Sequence, residues 1–198
     1  AWRWRGEAPV PEGRDICDVE PFMLVEGAHV LVHLANSESV RAKIAARPGV
    51  LELLTQGARV DFAQARTNCV RALANLACNN ETIAHTIAGF PGAVEILVQI
   101  CEGEGAAYSE EARSAAIRAL VNIVDAAEES KLSIIGLPNG LAAVVAVIFR
   151  GTEAAKGNAC YLIANLAEFN PQVSARICHI QDAVPALVEV VHSGTDFA

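Results

Sequence analysis

The feature that most constrains this chain is a short stretch that recurs at nearly one period along its length. Arg71-Ala72-Leu73-Ala74-Asn75-Leu76-Ala77 returns as Arg118-Ala119-Leu120-Val121-Asn122-Ile123-Val124 and as Tyr161-Leu162-Ile163-Ala164-Asn165-Leu166-Ala167. A degenerate first copy stands at His29-Val30-Leu31-Val32-His33-Leu34-Ala35. The polar anchor of each copy falls at His33, Asn75, Asn122 and Asn165, at intervals of 42, 47 and 43 residues. A period in the forties, written in helix-forming residues, means a stack of repeated helical units and not one closed core. The expected fold class is therefore all-α, a right-handed superhelical solenoid over residues 21–198 with three complete repeats and a partial repeat at each end.

The punctuation between copies supports that phasing. Pro21 is well placed in the first turn of a helix running to about Ala35, and Asn36-Ser37-Glu38-Ser39 opens a short helix through Ile44. Arg47-Pro48-Gly49 then breaks the chain before Val50-Leu51-Glu52-Leu53-Leu54, and equivalent breaks occur at Gly89-Phe90-Pro91-Gly92, Gly136-Leu137-Pro138-Asn139 and Ile180-Gln181-Asp182. Each break follows its anchor by 15 or 16 residues, whereas the distance from break to next anchor is 27, 31 and 27. The four extra residues are expected in Glu102-Gly103-Glu104-Gly105-Ala106, where glycine and charge mark an exposed connection. A composition 53% hydrophobic but only 5% aromatic suits Ala, Leu and Val helices packed at close range.

The third helix of each repeat carries most of the information. Six residues before the anchor the chain has only small residues, Gly27, Cys69, Ala116 and Ala159, as close helix packing requires. Leu31, Leu73, Leu120 and Ile163 lie two before it, and Leu34, Leu76, Ile123 and Leu166 one after it; both sets are expected in the core. The anchor and the residues four and seven before it form a stripe on another face, because spacings of three, four and seven stack along a helix. That stripe reads Glu26, His29, His33; Asn68, Arg71, Asn75; Ala115, Arg118, Asn122; and Asn158, Tyr161, Asn165.

With its three-helix period, its glycine-containing break (Gly89, Gly92, Gly136), its small-Leu-Asn-Leu/Ile-Ala third helix and a basic residue nine before the anchor (Arg66, Arg113, Lys156), the chain resembles the armadillo-repeat family of importin-alpha and beta-catenin over residues 21–198. The resemblance implies a concave groove lined by third helices, in which Asn75, Asn122 and Asn165 hold the backbone of an extended peptide. The peptide-import members carry Trp four before each Asn. Arg71, Arg118 and Tyr161 stand there in this chain, which weighs against specificity for a Lys-rich nuclear localisation signal.

A physical case for the ladder exists beside the resemblance. Asn costs about 0.5–0.7 kcal/mol relative to Ala inside a helix, so its recurrence at one mid-helix place needs a reason. Its carboxamide offers both donor and acceptor and can bond the N–H and C=O of one residue of an extended strand. Arg71, Arg118 and Tyr161 would then choose among ligand side chains, favouring acidic or aromatic ones. The competing expectation is that each Asn bonds a loop of a neighbouring repeat and binds nothing. His29 and His33, four apart on one helix face, read as polar groove residues and not as metal ligands, because no third ligand accompanies them. Arg66, Arg113 and Lys156 are expected to be structural, reaching acidic residues of adjoining turns.

No catalytic residue, metal site or cofactor is expected. Cys17, Cys69, Cys78, Cys101, Cys160 and Cys178 show no CxxC pairing, and Cys178-His179 has no second His at ligand spacing, so the cysteines read as reduced thiols. A formal net charge of −8 argues against a nucleic-acid partner and favours a protein or extended peptide. No apolar run reaches membrane-spanning length, so no direct membrane insertion is expected. Residues 1–20 form an N-terminal extension rich in Trp, Arg and Pro, with Trp2 and Trp4 as candidate anchors for a partner or for the solenoid itself. After the helix Ala183 to His192 no third helix follows, so an apolar end is left for a continuation or another subunit to cover. The functional expectation is a non-catalytic protein-interaction scaffold, not an enzyme, intracellular in the cytoplasm or nucleus. The alternatives are a subunit built into a larger assembly, in an organelle after removal of a targeting segment, and a helical-repeat chaperone or lyase acting on a cofactor-bearing protein.

Overall fold

A computed structural model describes residues 20–103 and 108–193, and twelve helices lie among them. They are α1 (Pro21–Leu34), α2 (Glu38–Ala45), α3 (Val50–Gly57), α4 (Ala63–Ala77), α5 (Glu81–Gly89), α6 (Ala93–Glu102), α7 (Glu110–Ala126), α8 (Glu129–Gly136), α9 (Gly140–Arg150), α10 (Glu153–Ala167), α11 (Pro171–Cys178) and α12 (Ala183–Ser193). The anchors fall in α1, α4, α7 and α10, so these are the third helices of successive repeats. The units α2–α4, α5–α7 and α8–α10 are complete; α11 and α12 supply the first two helices of another. The Trp2 and Trp4 extension, residues 104–107 of the lengthened connection and residues 194–198 lie outside the described residues.

Local chemistry explains where the helices begin and turn. Asn80, Ser109, Thr152 and Asn170 each accept a hydrogen bond at 3.0–3.2 Å from the backbone N–H three residues on, capping α5, α7, α10 and α11. At the breaks the chain turns by 90° between α5 and α6 and by 87° between α8 and α9. Gly49 and Gly92 make the first two turns in the left-handed region, with φ of 79° and 74°, where a Cβ would be strained. Asp182 adopts φ 58° at the last break, a place Asp tolerates through its short polar side chain.

The third helices α1, α4, α7 and α10 pack in a row, each on the next, and every second helix packs on the third helix of its own repeat. Leu73, Leu76, Leu120, Ile123 and Leu166 are at most 2% exposed and Ile163 is 7% exposed, as the repeat pattern requires. The small positions Cys69, Ala116 and Ala159 are fully buried, which lets the rows approach. The first copy departs from the pattern. Leu34 is 46% exposed, and a Cβ built on Gly27 meets nothing within 4 Å, so neither belongs to the core. The cause is position in the stack: among the described residues α1 has no second helix of its own repeat to cover that face. Instead Leu24, Ala28 and Val32 are buried against α4.

Phe169 follows α10 with φ 53° and is 97% exposed. Its counterpart after α4, Asn79, has φ 52°. A bulky side chain is strained in this region, whereas Asn is tolerated. Phe169→Asn is expected to raise the unfolding free energy by about 0.5–1 kcal/mol in urea titration, since it relieves strain and gives up no burial.

Candidate functional site

The stripe residues lie along the open face of the third-helix row, at one register on four stacked helices. His29 and His33 are exposed at the α1 end, with their Nε2 atoms 2.9 Å apart, one ring donating and the other accepting. Arg71 and Arg118 occupy the same register on α4 and α7. Arg71 lies 4.0 Å from the Glu111 carboxylate, and Arg118 Nη2 donates to Asn75 Oδ1 at 2.8 Å. Burial lowers the Arg118 pKa below the usual guanidinium range, and the Arg71 charge pushes the same way against an opposing effect from the Cys78 thiol. Tyr161, half-exposed on α10, donates its hydroxyl to Asp125 at 3.3 Å.

The asparagines are bonded across the joints between repeats. Asn75 Nδ2 donates to Val32 O at 3.0 Å and to Asn36 Oδ1 at 3.2 Å, and Asn122 Nδ2 donates to Ala74 O at 3.3 Å. Asn165 Nδ2 donates to Asp125 Oδ1 at 3.1 Å. The main acceptors are thus groups of the preceding third helix and not of a loop. Asn75 uses both amide hydrogens and its oxygen within the chain. Asn122 and Asn165 each use one hydrogen, which leaves a donor and an acceptor for a ligand backbone.

Asn68 departs from the expectation of a groove residue. It is 1% exposed and donates to Val25 O at 3.1 Å, with its Oδ1 buried and unpartnered. On α4 the register seven before the anchor turns into the α1–α4 joint, and on α7 the same register, Ala115, is likewise buried. Asn158, at the same register on α10, is half-buried and lines an open cleft of about 390 Å³ together with Arg71, Glu110, Glu111, Ser114 and Arg118. A second cleft of about 270 Å³ lies at the other ends of the same helices, lined by Asn79, Asn80, Glu81, Asn122 and Asp125.

Of the basic residues near the start of each third helix, Arg66 and Arg113 bond backbone carbonyl groups of the preceding connection. Arg66, 8% exposed, donates to Val60 O at 3.3 Å and lies 4.5 Å from the centre of the Tyr108 ring. Arg113 donates to Tyr108 O at 2.7 Å, and Lys156 meets a carboxylate, Glu153 at 2.7 Å. Other cross-chain links were not visible in the repeat pattern. Arg41 bonds Ala35 O at 2.7 Å and also Cys78 O; Arg59 bonds Pro91 O at 3.0 Å and Arg176 bonds Ile135 O at 3.0 Å. Asp125 was missed too, although a carboxylate three residues past an anchor lies one turn along the same face.

Among the described residues no group of three His, Cys, Asp or Glu side chains could hold a metal ion, and no single helix is long and apolar enough to cross a membrane. The described cysteines are free thiols. Burial pushes Cys69 and Cys101 up to about 12, with Arg113 pulling Cys101 slightly back. Since the folded pKa lies above the unfolded one, their contribution to stability is complete below about pH 9 and is lost as pH rises towards 12. A urea midpoint flat below pH 9 and falling above it is expected, with a shallower fall in Cys69→Ala. In native protein, exposed Cys178 should react with a disulfide reagent within seconds to minutes, whereas Cys69 and Cys101 react only on unfolding.

No family model matches the chain, and no curated protein sequence matches it. Solved structures do. UNC-45 from Drosophila melanogaster superimposes with a TM-score of 0.72 at 20% identity, over 87% of this chain and 21% of that one. Two engineered proteins superimpose with TM-scores of 0.65 and 0.68 at 23% and 24% identity, covering 88% and 90% of this chain and 64% and 41% of theirs. The chain therefore spans less than two thirds of the length of each. At such identities the likeness establishes the fold, a helical repeat solenoid, and nothing finer.

Proposed function

We propose that the chain is an armadillo-type solenoid whose third-helix face binds a segment of a partner protein, as a non-catalytic interaction module of the cell interior. The carrying observation is the unbroken register of exposed or half-exposed polar side chains across four stacked helices: His29 and His33, Arg71 and Asn75, Arg118 and Asn122, Tyr161 and Asn165. A face needed only for folding has no reason to keep polar groups with free hydrogen-bonding capacity aligned in this way. Asn122 and Asn165 retain the donor and acceptor that grip an extended backbone, and Asn122 lines the smaller cleft. Three-helix units with a near-right-angle turn between first and second helices support the armadillo assignment.

Replacing the asparagines is a poor test, because their amides also hold the joints. A better one captures partners from native extract with three proteins: the unaltered chain, an Ala154→Trp, Tyr161→Ala variant that fills and strips the face, and a Glu95→Ala, Gln99→Ala control on the exposed side of α6. A partner retained by the control and lost by the face variant supports the proposal. Equal recovery by all three would overturn it.

A second reading draws on a separate observation. Met23, Val30 and Leu34 on α1 are 64%, 56% and 46% exposed, and Val184, Val188 and Val191 on α12 are 46%, 50% and 73% exposed. Apolar surfaces at both ends of the stack favour lateral continuation into a larger assembly. The two readings are compatible, since one uses the face and the other the ends.

A further inference from the structure

Arg71 and Arg118 are placed at one register on adjacent helices and line the same cleft of about 390 Å³. Two guanidinium groups brought together repel each other, and neither is in a close ion pair with Glu110 or Glu111, the carboxylates of the same cleft. Among the described residues Arg118 is bonded to the neutral Asn75 amide oxygen. Among the described residues Arg71 has one ion-pair partner, Glu111, which is 67% exposed and stands at 4.0 Å, at the limit of an ion pair.

We infer that this cleft is the seat of a carboxylate side chain, Asp or Glu, carried by the bound partner segment. The inference rests on the third-helix face being the binding surface, and it adds which chemistry that face selects. A guanidinium has five N–H donors in a planar fork that matches a carboxylate, and Arg118 commits Nη2 to Asn75, so the fork is held in place with donors to spare. Glu111 occupies the neighbourhood of Arg71 as an internal stand-in, which a partner's carboxylate displaces. Glu110 and Glu111 border the cleft, and Asp125 lies two turns past Arg118 along α7, about 10 Å from it. These acids repel a run of negative charge, so the preferred ligand carries an isolated acidic residue and not a polyacidic stretch.

The test selects displayed random 12-residue peptides on the immobilised full chain, then measures binding of synthetic copies by fluorescence anisotropy. The expected result is enrichment of peptides with one Asp or Glu among neutral residues. Changing that residue to Gln or Asn weakens binding about tenfold, and R71Q/R118Q removes the difference between the acidic and amide forms. Glu111→Gln strengthens binding of the acidic form, because the internal competitor is gone. R71K/R118K, which keeps charge but loses the fork, is expected to fall between the two. Circular dichroism and the urea midpoint verify that each variant is folded.

Peptides that depend on the third-helix face, by the Ala154→Trp, Tyr161→Ala variant, yet bind equally in acidic and amide forms would overturn the carboxylate seat and leave the binding face intact. Selection of no peptide that depends on this face would overturn both.

Discussion

Leu120→Ala is expected to lower the unfolding free energy by about 2–5 kcal/mol, while Leu34→Ala, the same change at the α1 end of the stack, costs less than about 1 kcal/mol. Leu120 is fully buried at the centre of α7, which packs on α4, α5, α6 and α10, so removing its side chain leaves a cavity the surrounding helices cannot close. Leu34 is 46% exposed and leaves little void. Urea titrations followed by far-ultraviolet circular dichroism measure both. Because a repeat array is stabilised mainly by neighbour contacts, the Leu120 variant should also broaden the transition, as the two halves of the stack lose their central coupling. Equal losses at the two positions would mean that α1 is covered in solution on the face left open in the structure.

The second large effect is expected in Asn68→Ala, Asn75→Ala. These residues make three bonds that tie α4 to α1 and the turn after it: Asn68 to Val25 O, and Asn75 to Val32 O and Asn36. At about 1 kcal/mol for each, their loss weakens the joint by about 3 kcal/mol. The apolar contacts of Leu24, Ala28 and Val32 remain, so α1 opens locally and the rest of the stack stays folded. Hydrogen exchange read by mass spectrometry should show α1 amides exchanging about 100-fold faster, with α7 unchanged. Unchanged exchange in α1 would mean that apolar packing alone holds it.

Much of this architecture could be read from the chain itself, because a repeat offers several independent measurements of the same thing. The third helices, the breaks at Pro48-Gly49 and Pro91-Gly92 and the buried Leu120 and Leu166 all follow from the agreement of copies. That agreement misleads at an end of the stack. Leu34 and Gly27 match the core pattern residue for residue, yet they are exposed, since burial depends on a neighbour that the repeat itself does not contain. Asn68 fails for a related reason: it shares a helix face with Asn75, but a small rotation between rows turns one into a joint and leaves the other half open. The bonds of Arg41, Arg59 and Arg176 end on backbone carbonyls 32–41 residues away or around a tight turn, and a carbonyl leaves no mark in the order of side chains.

The asparagine amides of α4 and α7 close their joints on Val32 O and Ala74 O, atoms that every residue possesses. Those two bonds impose no demand on the identity of the side chain they meet, although Asn36 and Arg118 add side-chain partners beside them. A repeat duplicated or transposed with its Asn therefore still meets a carbonyl acceptor where it lands on a third helix placed as α1 or α4 is. The α7–α10 joint is different, because Asn165 closes on the Asp125 carboxylate. The carbonyl bonds of the first two joints are interchangeable parts, and the Asn165–Asp125 bond of the third is a matched pair that must be inherited together.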